Sequence, residues 1–393
     1  MKFEYTPLSF FADIKGGKRL PKGKFLTNII NEHPYIRVQN LGNKKNLELT
    51  SEYEYVDNET QKLISKYTVA TGNVLISIVG TVGLIAIVGK TLDGANLTEN
   101  CAKIMNFKGL DRDFLYYYLI SHEGQNAIQA ATVGAVQPKL PLKNIQKLPI
   151  PRISLKKQQK IGKLLSSLDD KIELNAQINH NLEEQAALIF ADWLQGCNES
   201  VAIGDLSTNI LDYTPINNGF VRLLNSSDVT EGVFPDIQLV PNANLKGHFK
   251  KRFQLGDILY SEIRPRNHHY GFVLFDASEY IASTRLMVIR ALDYKVSPAM
   301  LYQYLLLPNV EAEFTLKTES RSGTFPQGNY ADIASIKIPY APVKAQNEVS
   351  STLTKIRQTI ANNQLENRQL SELRDALLPK LMSGEIDVSE VEV

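Results

Sequence analysis

The chain has 393 residues, with 43 Lys+Arg against 42 Asp+Glu for a net charge of +1, and 43% of its residues are hydrophobic and 22% charged. These values exclude a disordered or fibrous chain and a uniformly basic nucleic-acid coat, and the length predicts two or three domains. Two cysteines, Cys101 and Cys197, exclude a disulfide framework and suggest a reducing compartment.

The stretch from Met1 to Ile14 lacks the basic start, apolar stretch and small-residue cleavage site of a signal peptide, so the expected location is the cytoplasm, with no membrane partner. A basic cluster follows at Lys15, Lys18, Arg19, Lys22 and Lys24. The most apolar run, Val74 to Val88, is broken by Gly80 and Gly83 and falls short of the roughly 20 residues of a membrane span, so it predicts paired strands. Gly89-Lys90-Thr91 lacks the glycine that a phosphate loop needs at position 84, which is Leu84, and reads as strand. Phe114 to Leu119 predicts a short helix whose three tyrosines pack internally.

From Leu155 to about Gln195 the chain predicts one long helix. Ile161, Leu165, Leu168, Ile172, Asn175, Asn179, Leu182, Ala186, Ile189 and Trp193 alternate spacings of four and three, the grammar of a coiled coil. About 40 helical residues make a rod of roughly 60 Å. Asp169-Asp170 and Glu183-Glu184 read as a solvated polar face.

The second half repeats the first. Gly72 to Ser77 recurs as Gly256 to Ser261, Phe114 to Leu119 as Met300 to Leu305, and Ile150-Pro151 as Ile338-Pro339. At an offset of 188 the long helix recurs with Val349, Leu353, Ile356, Ile360, Asn363, Asn367, Leu370, Arg374, Leu377 and Leu381 on the same template. The matched asparagines predict that the two helices pair, fixing register through a polar layer. An antiparallel pairing brings all four into one layer. A parallel pairing aligns them too, and two unrelated amphipathic helices are the bland alternative.

Catalytic constellations are missing. The chain has no GxSxG elbow, HExxH, dinucleotide fingerprint, amino-methyltransferase motif or nuclease motif, and His268-His269 has no carboxylate at metal-ligand spacing, so the chain reads as non-enzymatic with no metal or cofactor of its own. The cationic clusters Lys250, Lys251, Arg252 and Arg264 with Arg266 can track phosphates, although any one cluster taken alone reads better as solvated surface.

With these features in place, the chain resembles the DNA-specificity subunit of type I restriction-modification systems. The resemblance rests on two globular halves each followed by a long helix, on the segment Leu373-Arg374-Asp375-Ala376-Leu377-Leu378-Pro379-Lys380-Leu381-Met382-Ser383-Gly384-Glu385-Ile386, and on the loop Ser322-Gly323-Thr324-Phe325-Pro326-Gln327 with its counterpart Val133 to Pro138. It implies an α+β fold with two repeated target-recognition domains, residues 1–152 and 198–341. Two long spacer helices, 153–197 and 342–384, would form an antiparallel coiled coil under a pseudo-two-fold axis, ahead of a tail at 385–393. The implied partners are double-stranded DNA, two methyltransferase subunits and, for restriction, two translocating nuclease subunits. S-adenosylmethionine, ATP and Mg would sit on those partners and none on this chain.

The residues expected at DNA are Lys18, Arg19, Lys22, Lys24, Arg37, Thr81, Gln137 and Lys139 in the first half, and Arg222, Lys250, Lys251, Arg252, Arg264, Arg266, Arg321, Thr324 and Gln327 in the second. Asn175, Asn179, Asn363 and Asn367 are expected to set the coil register. Glutamine offers the paired donor and acceptor that adenine requires, and arginine can fork onto guanine or bind phosphate. The halves differ after Ser77 and Ser261, so the target should be bipartite and asymmetric, with readers about 34 Å apart or a multiple of it. A protein-binding scaffold with a coiled spacer, and a detached recognition module of a fused restriction enzyme, are the alternatives.

Overall fold

The computed structural model describes residues 3–42, 44–134, 136–243, 245, 247–320 and 326–388. The chain divides into two compact units, Met1–Ile172 with Leu370–Val393, and Glu173–Gln369. Both are built on the same plan.

In the first unit a five-stranded sheet runs in the order Asp13–Gly16, Cys101–Met105, Val74–Ser77, Ile85–Val88, Asn46–Leu47. The apolar run forms the expected strand pair, with Val74 opposite Ile87 and Ile76 opposite Ile85. It shows no polar alternation because both faces are covered. Val74, Ile76, Ile85 and Ile87 pack on the aromatic helix Arg112–Ile120, while Leu75, Ala86 and Val88 pack with Leu47 and Leu97 on the other side. That helix starts where the Asp111 carboxylate accepts from the Phe114 N–H at 2.9 Å. Tyr116, Tyr117 and Tyr118 are all buried in the core, as their spacing predicts. Gly89-Lys90-Thr91 is not strand: it enters a 3₁₀ turn, Lys90–Leu92, because the Glu48 carboxylate gathers the amides of Lys90 and Thr91 at 3.2 and 2.9 Å.

The second unit repeats the sheet as Ser207–Asn209, Leu286–Ala291, Ile258–Ser261, Tyr270–Phe272. A second sheet, Leu239–Pro241, Phe220–Leu224, Tyr280–Ser283, Phe249–Lys251, covers it. The helix Pro298–Leu305 buries Tyr302 and Tyr304.

The long helices run Leu155–Leu194 and Val343–Ser383. In the first unit Ile161, Leu164 and Leu165 pack with Leu377, Leu378 and Leu381. In the second, Leu182, Ala186 and Phe190 pack with Val349, Leu353, Ile356 and Ile360. Rising numbers on one helix meet falling numbers on the other: the Asn175 amide donates to Asn367 at 2.8 Å, and Asn363 donates to Asn179 at 2.8 Å. The pairing is therefore antiparallel, and the helices are not independent. The asparagines form two successive cross-pairs rather than one layer, because each helix spaces its two residues one turn apart. Asp169 and Glu183 are also not merely solvated. Asp169 accepts from Arg374 at 2.7 Å and from the Tyr117 hydroxyl at 2.5 Å, and Glu183 pairs with the buried Arg357.

Candidate nucleic-acid interface

Strand direction decides which loops can act together. Asp13–Gly16 and Val74–Ser77 both run antiparallel to Cys101–Met105, with Gly16 opposite Ala102 and Ser77 opposite Cys101. The chain leaving Gly16, the chain leaving Ser77 and the chain entering Cys101 therefore emerge at one end of the sheet. Backbone bonds tie them: Lys18 N–H to Leu97 O at 2.9 Å, and Ile78 N–H to Asn100 O at 2.8 Å. The 132–140 loop joins them through Leu140 N–H to Ile78 O at 2.9 Å and a bridge between Val79 and Lys139. The turn after Ser77 is shaped by its hydroxyl, which donates to Thr81 O at 2.6 Å and accepts from Leu84 N–H at 2.9 Å.

This end gathers most of the first half's expected residues. Lys18, Lys22, Thr81, Gln137 and Lys139 are exposed. Arg19 is exposed and paired with Glu99 at 2.7 Å, and Lys24 is half-buried between Glu59 at 2.6 Å and Asp57 at 3.7 Å. Arg37 follows Ile36, whose carbonyl accepts from Thr98, and pairs with Glu54.

The second unit rebuilds the same edge. Ser261 lies opposite Leu286, Glu262 N–H donates to Arg285 O at 2.9 Å, and Ile263 bridges Gln327 as Val79 bridges Lys139. The Ser261 hydroxyl again closes the turn, donating to Ile263 O and accepting from Ile263 N–H, both at 3.0 Å. Arg264, Arg266 and Lys250 are exposed, and Gln327 is half-buried. Arg264 and His268 hold left-handed backbone at φ +48° and +53°, a conformation that non-glycine residues adopt only where surrounding contacts impose it. Arg266 forks onto Glu319, with two contacts of 3.0 Å. His268 is gripped by Glu231 at 3.1 Å and Glu311 at 2.7 Å, and the Glu231 bond, then that to Glu311, raises its pKa above 6.5.

Three expected residues are not presented at this edge. Lys251 is 4% exposed, donates to Leu286 O at 2.7 Å near Glu262, and is pushed below the usual lysine pKa by burial. It neighbours the exposed Lys250, which sits at a register shift where Phe249 lies opposite Ser283 and Lys251 opposite Ala282. Arg222 lies opposite Tyr280, at the far end of Tyr280–Ser283 from the loops, and is held by Asp236, Glu279 and the Tyr280 ring. Arg252 donates to Ser278 O at 3.2 Å, also at that far end. Arg321 and Thr324 lie outside the described residues.

One residue at the edge escapes a motif search: Arg285, exposed and immediately before Leu286. Pairing the repeats through Cys101 and Leu286 makes it the counterpart of Asn100, and that alignment is the signal that finds it. Among the described residues, no group of three or more His, Cys, Asp and Glu is placed to hold a metal ion, and no helix is long and apolar enough to cross a membrane. The edge presents cations and amides, the groups that meet phosphates and base edges.

Comparison with known proteins places this architecture. The family described as type I restriction modification DNA specificity domain matches residues 2–184 and 203–372. The chain is 33% identical to the type I restriction enzyme HindI specificity subunit of Haemophilus influenzae, a match spanning 48% of this chain and 40% of that protein. It is 22% identical to the MjaIX specificity subunit of Methanocaldococcus jannaschii over 97% of this chain and 92% of that one. The crystal structure of the type I S subunit from M. genitalium shares the fold, with a TM-score of 0.62 at 15% identity and 96% of each chain covered. The chain belongs to the family of type I restriction-modification DNA specificity domains.

Proposed function

We propose that the chain is the sequence-reading, non-catalytic subunit of a type I restriction-modification complex, each unit recognising one part of an asymmetric bipartite site in double-stranded DNA. The observation that carries this reading is the equivalent sheet edge of the two units: one framework, closed by Ser77 and Ser261, presenting different side chains. The first edge shows Thr81, Gln137 and Lys139; the second shows Arg264, Arg266, Arg285 and Gln327. An unequal pair of readers implies unequal half-sites.

The paired long helices supply surfaces for two methyltransferase subunits, which would carry S-adenosylmethionine and the methylating residues. Nuclease subunits with ATP and Mg would join for restriction, and the complex would work in the cytoplasm. The test is the set of methylated sequences in cells carrying the chain with Gln327→Ala and Arg264→Ala. One half of the motif should relax while the other stays fixed, and purified chain alone should transfer no methyl group. A change in both halves, or turnover without partners, overturns the reading.

A further inference from the structure

We infer that the charges lining the long-helix seam choose its partner: each long helix is built to accept the other helix of its own chain and to reject a second copy of itself. This stands independently of the proposed function. A duplicated chain faces an ambiguity, because each helix meets two mates with nearly the same apolar pattern. The asparagine cross-pairs resolve it only in part. At the repeat offset of 188, Asn367 is the counterpart of Asn179, so two copies of the first helix would also pair Asn175 with Asn179, losing only the bond that Asn175 donates to Glu366 at 2.7 Å, whose counterpart is Ile178.

The ion pairs can resolve it. In the first unit Asp169 of the first helix takes Arg374 of the second at 2.7 Å. In the second unit Glu183 of the first helix takes Arg357 of the second, a residue 3% exposed whose guanidinium carbon lies 4.8 Å from the Tyr302 ring centre. In both pairs the acid is on the first helix and the arginine on the second. Asp169 and Arg357 are repeat counterparts, one site with opposite charge. If two first helices paired in the same antiparallel register, Glu183 would meet Asp169. If two second helices paired, Arg374 would meet Arg357. A symmetric antiparallel pair repeats each clash twice, so segregated charge penalises both wrong pairings and neither right one.

The test uses the full chain with three charge exchanges. Glu183→Arg with Arg357→Glu, or Asp169→Arg with Arg374→Asp, keeps both ion pairs between the helices, the second at the loss of the Arg374–Asp375 pair within one helix, but places opposite charges across both like-helix pairings. All four substitutions together keep the native pairs and restore segregation with reversed sign. Each chain is unfolded, refolded over a range of concentrations, checked for helicity by circular dichroism, and sized by light scattering. Each two-residue exchange should dimerise at a concentration about tenfold lower than the natural chain, while the four-residue exchange should behave like the natural chain. The two exchanges act through different ion pairs, so either one that folds suffices. Equal association of two- and four-residue exchanges overturns the inference.

Discussion

Lys18 and Lys139 are exposed at the proposed reading edge of the first unit, and neither has a carboxylate partner among the described residues. Replacing both with alanine removes two phosphate contacts if this edge faces DNA. Each contact contributes about 0.9 to the slope of log affinity against log salt, so the double variant should lower that slope by about 1.8. Over a fourfold rise in salt, from about 50 to 200 mM, each contact is worth a factor of about 3.5. The gap between natural chain and variant should therefore shrink by about twelvefold across that range. The assay is fluorescence anisotropy of a labelled duplex containing the site, titrated at four salt concentrations. A control with Lys156→Ala and Lys163→Ala makes the same charge change on exposed positions of the first long helix. If the control flattens the slope as much as the edge variant does, or if the edge variant leaves it unchanged, the edge is not where phosphates sit.

Gly17→Ala should selectively damage the first reader, because a Cβ there would lie 2.1 Å from Thr98 O and 2.4 Å from Leu97 O and must push the basic loop off the edge. Relaxed methylation at one half-site, with the other intact, is the expected readout. Replacing Asn175, Asn179, Asn363 and Asn367 with leucine should raise the thermal midpoint by several degrees: Asn175 is 1% exposed and its Oδ1 accepts no bond, and about 1.5–3 kcal/mol accompanies full burial of a leucine against about 1 kcal/mol net per lost hydrogen bond. Calorimetry showing no rise would mean that the amides stabilise as well as align. The pKa of His268 is raised in the fold, so its contribution is complete below pH 6.5 and is lost as pH climbs through the folded value. The stability difference between the natural chain and His268→Gln should therefore be largest below pH 6.5 and shrink as pH rises through the folded value in denaturant titrations.

The parts of the fold visible in the sequence are those set by local periodicity. The two heptad helices, their pairing and the buried tyrosines follow from apolar spacing and the 188-residue offset, because packing on a helix depends on residues three and four apart. The antiparallel sense does not, since a parallel pair aligns the asparagines too. Asp169 and Glu183 also escape that spacing: a pattern that marks apolar positions leaves a charge beside the seam looking like a charge in water. Only the partner, Arg374 or Arg357 some 170–205 residues away, shows that it is packed.

The reading edge depends on strand register, which no local pattern specifies. Gly16 meets Ala102 and Ser77 meets Cys101, and with the Val79–Lys139 bridge those pairings bring Lys18, Thr81 and Lys139 together, while the parallel pairing of Arg222 with Tyr280 in the second unit leaves Arg222 and Arg252 at the far end. Lys250 and Lys251 make the point within one strand: identical residues, adjacent in sequence, one in water and one under the sheet. A cationic cluster therefore marks a DNA-facing edge only after the sheet has sorted its members. In this chain the sorting repeats, since the turn-closing serines and the bridges Val79–Lys139 and Ile263–Gln327 recur while the side chains they present do not. A framework that holds still while its presented residues change is what a reader of two different half-sites requires, and it is legible only when both copies are laid on one register.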